Sequence, residues 1–203
     1  MKLEKVMNKL PTIKTVLIAT AIAFAMLLTR GSHVLTHVSL PDASLVLFLL
    51  GGLYLSTNVK ISAAWFAAFF GLATVIDFGA AALDPAQGFC LTNGYWGLIP
   101  SYAALWFGGF WLGKQANPFS PLRFAAVSLG ATFVAFVLST QTYYLFSGRF
   151  PANGVMESMQ HGWNYLPNWM GVNAAYFGLV LMVVALVRTV KPAEISTTKG
   201  SKI

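Results

Sequence analysis

The sequence predicts an all-α integral membrane protein of six transmembrane helices, and three observations lead there. The chain is apolar: 57% of its 203 residues are hydrophobic, 9% are charged, and its mean hydropathy is +0.67. A soluble domain carries about 25% charged residues. The apolar residues also fall into six runs, most of them near the ~20 residues a helix needs to cross a bilayer core. Finally, the basic residues collect on alternate connections between those runs.

The first run, Ile13–Leu28, is slightly short, and Lys14 near its start can snorkel to an interface. It ends at Arg30–Gly31–Ser32–His33. That is not a small-residue cleavage site, so the run reads as a retained helix rather than a signal peptide. Pro41–Asp42 opens the second run, Leu40–Ser56. The third, Ser62–Leu83, follows Asn58, which reads as a helix-end residue, and stops at Asp84–Pro85. The fourth is Tyr95–Leu112, closed by Asn117–Pro118 and Pro121. Phe124–Phe146 and Pro167–Val187 complete the set. Residues 1–190 therefore form one transmembrane domain, and Lys191–Ile203 is a polar tail.

Several classes are excluded. Alternating strands of about 10 residues are missing, which argues against a β-barrel. A single cysteine rules out an internal disulfide framework. There is no Walker A sequence, no CxxC and no HExxH, so neither ATP hydrolysis by that route nor a dedicated zinc site is expected.

Of the thirteen Lys and Arg residues, all but Arg30 and Arg149 fall on one side if the N-terminus is cytoplasmic. Both termini are then cytoplasmic. The net charge of +7 is a topology signal, and nucleic acid is not an expected partner.

The outer side collects the chemically distinctive groups: His33, His37, His161 and Cys90 in loops, Asp77 about six residues below the end of the third helix, and Tyr95, Trp96, Trp163, Tyr165 and Trp169 at the same level. Gln141, Tyr143, Tyr144 and Asn173 lie close to it. Each has a plain reading. The aromatics suit an interfacial belt, the histidines can be solvated, and a lone cysteine can be a small packed apolar group. Asp77 is harder to dismiss, because a carboxylate inside a membrane costs several kcal/mol unless it faces a partner or a wet cavity. A lone thiol in an oxidising compartment is likewise worth flagging. Thiolate and imidazole are good donors to transition metals, so the outer face is a candidate site for a metal or a metal-bearing ligand.

Six short helices with ligand-grade residues in the outer loops resemble the substrate-binding S-components of energy-coupling-factor vitamin transporters. Ala19 and Ala23, within "ATAIAFA", resemble the small-residue motif by which such components meet an energy-coupling ATPase module. Asp77, Cys90 thirteen residues on, and Tyr95 five residues after that are similar to the BtuM group, solitary S-component relatives of Gram-negative bacteria implicated in cobalamin uptake. His37 is a looser match. The resemblance implies an inner-membrane protein that binds cobalamin on its outer face. It implies Cys90 as the ligand to cobalt and the agent of cyanide loss, with Asp77, Tyr95 and His37 shaping the site. Trp96, Arg149 and His161 complete the expected set. Asp77 would hydrogen-bond loop amides or a polar edge of the ligand. Three rival readings stay open on the residues alone: an S-component for another small vitamin, a membrane thiol or metal-handling enzyme, and a structural membrane subunit in which no outer-face polar residue matters.

Overall fold

The computed structural model describes residues 13–30, 40–152 and 154–190. Seven α-helices occur among them: α1 (Ile13–Arg30), α2 (Ser44–Leu55), α3 (Val59–Leu83), α4 (Leu98–Gly113), α5 (Pro121–Phe146), the single turn α6 (Val155–Ser158) and α7 (Leu166–Val190). Short 3₁₀ turns cover Pro85–Cys90, Asn93–Gly97 and Trp163–Tyr165. The described residues contain no strand. The polar tail, His33 and His37 lie outside the described residues.

The six apolar runs correspond to α1–α5 and α7, but they are not six equal rods. Four helical stretches are long and apolar enough to cross a membrane: α1, α3, α5 and the stretch Val155–Thr189 that contains most of α7. Helix α2 has 12 residues and α4 has 16, or about 18 and 24 Å at the helical rise. Local chemistry explains the shortening. The Asp42 carboxylate accepts from the Ser44 N–H at 2.9 Å and from its hydroxyl at 2.6 Å, so α2 starts only at Ser44. The turn of Asn93–Gly97 occupies the expected start of α4. Asn58 does cap a helix: its side chain accepts from the Ile61 N–H at 3.0 Å at the start of α3.

Helix α2 is buried nearly all round, from Leu45 to Leu49 and at Leu55. A helix apolar on every face belongs in the middle of a bundle. It touches α1, α3, α4, α5 and α7. Against α4 it makes backbone contact. A Cβ on Gly52 would collide with the carbonyl oxygen of Trp106, and one on Gly109 with that of Leu49. Phe48 stacks on Tyr102 at 4.3 Å between ring centres, and Trp106 donates to the Ser62 hydroxyl at 2.8 Å. The outer faces carry large exposed apolar side chains, among them Phe24, Val75, Phe107 and Leu186. Water makes such surface costly, whereas hydrocarbon covers it without penalty.

Successive principal helices run antiparallel. The C-terminal ends of α1 and α3 therefore meet the N-terminal ends of α2 and α4 at one end of the bundle, where the candidate site lies.

Candidate functional site

Two structures share that end. The first is a charged cluster centred on Arg30, the last residue of α1. Its Nε donates to Asp77 Oδ1 at 2.6 Å and its Nη2 to Asp77 Oδ2 at 2.6 Å. Its Nη1 donates to the Ser44 hydroxyl at 2.9 Å, to Asp42 at 3.3 Å and to the Tyr102 hydroxyl. The Arg30 side chain is 8% exposed and that of Asp77 20%. Such a forked pair of charge-assisted bonds is the strong form of an ion pair. Arg30, counted from sequence only as an outer-side charge, is thus buried in an ion pair. Asp77 is held by a guanidinium from α1. Tyr95 adds a further donor, its hydroxyl 2.8 Å from Asp77 Oδ2.

The second structure is a cavity of about 520 Å³ between the Cys90 loop, α5 and the start of α7. Eight aromatic rings form most of its wall, including Tyr95, Phe136, Tyr143, Tyr144 and Trp169. Ser139, Thr140 and Asn168 supply neutral polar groups, and Cys90 supplies the one thiol. Among the described residues, no lysine, arginine or carboxylate lines it. A planar or largely apolar molecule with few charges suits such walls.

Local sequence delivers Cys90 to this wall. Asp84 ends α3 and accepts from the Ala86 N–H at 3.0 Å, so the chain turns at once into Pro85–Cys90. The next turn lies directly on α5, because Gly94 and Gly97 have no side chain to hold it off. A Cβ on Gly94 would strike the Tyr143 backbone, and one on Gly97 the Thr142 side chain. Arg149 fastens the loop from the other side. Its Nη2 donates to the Phe89 carbonyl at 3.0 Å, and its guanidinium lies 4.0 Å from the centre of the Phe89 ring. His161 stacks on Tyr144 at 5.3 Å and so backs the cavity wall without lining it.

Of the expected site residues, Cys90 and Tyr95 are brought together at the cavity, joined by Tyr143, Tyr144, Tyr165 and Trp169 from the outer-level aromatics. Asp77 stands behind Tyr95, and Arg149 and His161 support the rim. Trp96 is 57% exposed, packs edge-on against Tyr95, and is not part of the wall. Sequence reading left out Phe136, Thr140, Phe150 and Asn168. Polar and aromatic residues occur on several sides of the last turns of α5, and Phe150 lies in a loop, so neither segment signals which residues face a cavity.

The Cys90 thiol is exposed at the cavity edge. Partial burial pushes its pKa above the usual thiol value, and the charge of Asp77 adds to that push; Arg149 and Arg30 pull the other way. The free thiol is therefore mainly protonated at neutral pH. The described residues contain no group of three His, Cys, Asp or Glu able to hold a metal ion. A bare ion would find one donor here, whereas a metal that brings its own equatorial ligands needs only one.

On the flank of the bundle, Ala19 and Ala23 of α1 line a groove of about 310 Å³ with Trp65, Ala68 and Phe69 of α3. No protein-family model matches the chain, and no curated protein matches it either.

Proposed function

We propose that this chain is a cobalamin-binding uptake protein of a bacterial inner membrane. In this reading six helices span the bilayer, both termini are cytoplasmic, and the cavity opens outward. The observation that carries it is the placement of the single cysteine on the wall of an uncharged aromatic cavity. A corrin is broad, flat and amphipathic, and its cobalt is already held by four ring nitrogens. One thiolate is then a complete protein contribution to the metal. The orientation is supported by charge. Lys60, Lys114, Arg123 and Arg188 lie at the end away from the cavity, and Arg30 is consumed inside the protein. The Ala19–Ala23 groove is a suitable contact for an energy-coupling module.

The chemistry is a ligand exchange. The Cys90 thiol gives up its proton, a sulfur–cobalt bond forms, and the cobalt–cyanide bond breaks. Cyanide leaves with the proton as hydrogen cyanide, and the oxidation state of cobalt does not change. The raised thiol pKa makes deprotonation part of the cost, so the exchange should accelerate as pH rises toward that pKa.

The test is the visible spectrum of purified protein mixed with cyanocobalamin. Wild type should shift the corrin bands and release cyanide, more slowly at lower pH. Cys90→Ser should fold and lose the shift. A variant that exchanges cyanide as fast as wild type would remove the thiol from the mechanism. A second reading draws on the cavity volume, which falls within the ~300–1,000 Å³ typical of sites that enclose a drug-sized ligand. If the chain is an S-component for a smaller vitamin, that vitamin would fit wholly inside. In that case neither protein would bind corrin.

A further inference from the structure

The cavity wall is neutral, but its rim carries one cation without a counter-charge. Both ion pairs among the described residues belong to Arg30. Asp84 is engaged in capping the turn of Pro85–Cys90 and Glu157 makes no ion pair, so Arg149 has no carboxylate partner among the described residues. Yet its guanidinium is not loose. One Nη2 hydrogen bond to the Phe89 carbonyl and the face of the Phe89 ring fix its position. Phe89 itself lines the cavity, beside Cys90, as does Phe150 on the other side of Arg149 in sequence. The contact to Phe89 uses one of the five N–H donors of a guanidinium and leaves the rest of the fork open. A fixed, exposed guanidinium with spare donors at the mouth of an apolar cavity matches a ligand whose body is neutral and whose edge carries one anion. Arginine meets phosphate oxygens in the same bidentate way that it meets carboxylates.

We infer that Arg149 is a specificity-determining residue that binds a phosphate monoanion at the rim while the neutral body of the ligand fills the cavity. The inference rests on the cobalamin reading above, in which the anion is the phosphodiester of the nucleotide loop. The same chemistry is offered by the headgroup of an anionic phospholipid, since the rim also faces the membrane surface in that reading.

The experiment separates the two sources. Binding is titrated in neutral detergent, without phosphate or lipid, using two probes: cyanocobalamin and dicyanocobinamide, which has the same corrin but no phosphodiester. Arg149→Gln should weaken cyanocobalamin about fivefold at low ionic strength and leave dicyanocobinamide within about twofold. Added salt should shrink the difference. Arg149→Lys, which keeps the charge but not the fork, should restore part of it. If the anion is instead a lipid headgroup, the two corrins will not separate the variants. Arg149→Gln will then lose the thermal stabilisation that added phosphatidylglycerol gives to wild type. Equal weakening of both corrins would overturn the inference, because Arg149 would then only fasten Phe89. Unchanged binding of both corrins together with unchanged lipid stabilisation would overturn it as well. If wild type binds neither corrin, the cobalamin reading falls and this inference falls with it, a result distinct from a failure at Arg149 alone.

Discussion

The Arg30 cluster and the Cys90 cavity lie side by side at one end of the bundle and handle polarity in opposite ways. The cluster concentrates formal charge and spends it internally: Arg30 is ringed by Asp77, Asp42, Ser44 and Tyr102. The cavity holds no formal charge and leaves its thiol and aromatic faces open. Tyr95 belongs to both, with its ring on the cavity wall and its hydroxyl on Asp77. The contrast separates structure from chemistry. The Arg30 cluster joins α1, the start of α2, α3 and α4, and the neutral wall is left open. A carboxylate in an apolar segment is therefore not by itself the sign of a binding site.

Removing the cation tests this division most severely. Arg30→Met leaves Asp77 partly buried and unpaired, and it should cost about 3–5 kcal/mol of stability, read by thermal unfolding in detergent. Adding Asp77→Asn to Arg30→Met should recover most of that loss. An Arg30→Met protein as stable as wild type would show that the cluster holds nothing together. The converse perturbation acts first on the cavity side. Gly97→Ala forces a methyl group against the stiff, β-branched Thr142 and should cost about 1–3 kcal/mol. It should also lift the turn from α5 and change the accessibility of Cys90 to an alkylating reagent, while the Arg30 cluster stays intact. Unchanged alkylation would mean that the glycine contact does not position the thiol. The smallest effect belongs to the shared residue. Tyr95→Phe keeps the ring on the wall but removes a donor from a carboxylate that retains two bonds from Arg30. It should cost about 1 kcal/mol in unfolding. A loss as large as that of Arg30→Met would erase the distinction between the two regions.

The helices were legible because length and apolarity are local properties. Six runs, the caps at Asn58 and Asp84, and the turn at Pro41–Asp42 are readable from short windows. The late start of α2 was not, since Pro41–Asp42 marks a turn without saying where the helix begins, and the Asp42–Ser44 contacts place that start at Ser44. Cys90 and Tyr95 stood out by rarity and spacing. The pairing of Arg30 with Asp77 spans 47 positions, and nothing periodic links them. Charge counting placed Arg30 on the outer side and said nothing of its partner. A buried charge needs a partner, so a lone Arg and a lone Asp near the same end of two apolar segments carried a usable hint. The cavity-facing side of α5 carried none, because polar and aromatic residues appear on several sides of its last three turns.

The glycine seam between α2 and α4 has a mechanical consequence. Where backbones touch, no side chain can rotate aside to absorb displacement, so the two helices must translate as one body. The seam therefore makes α2 and α4 the stiff pair of the bundle, while α5, α7 and α1 meet their neighbours mainly through side chains.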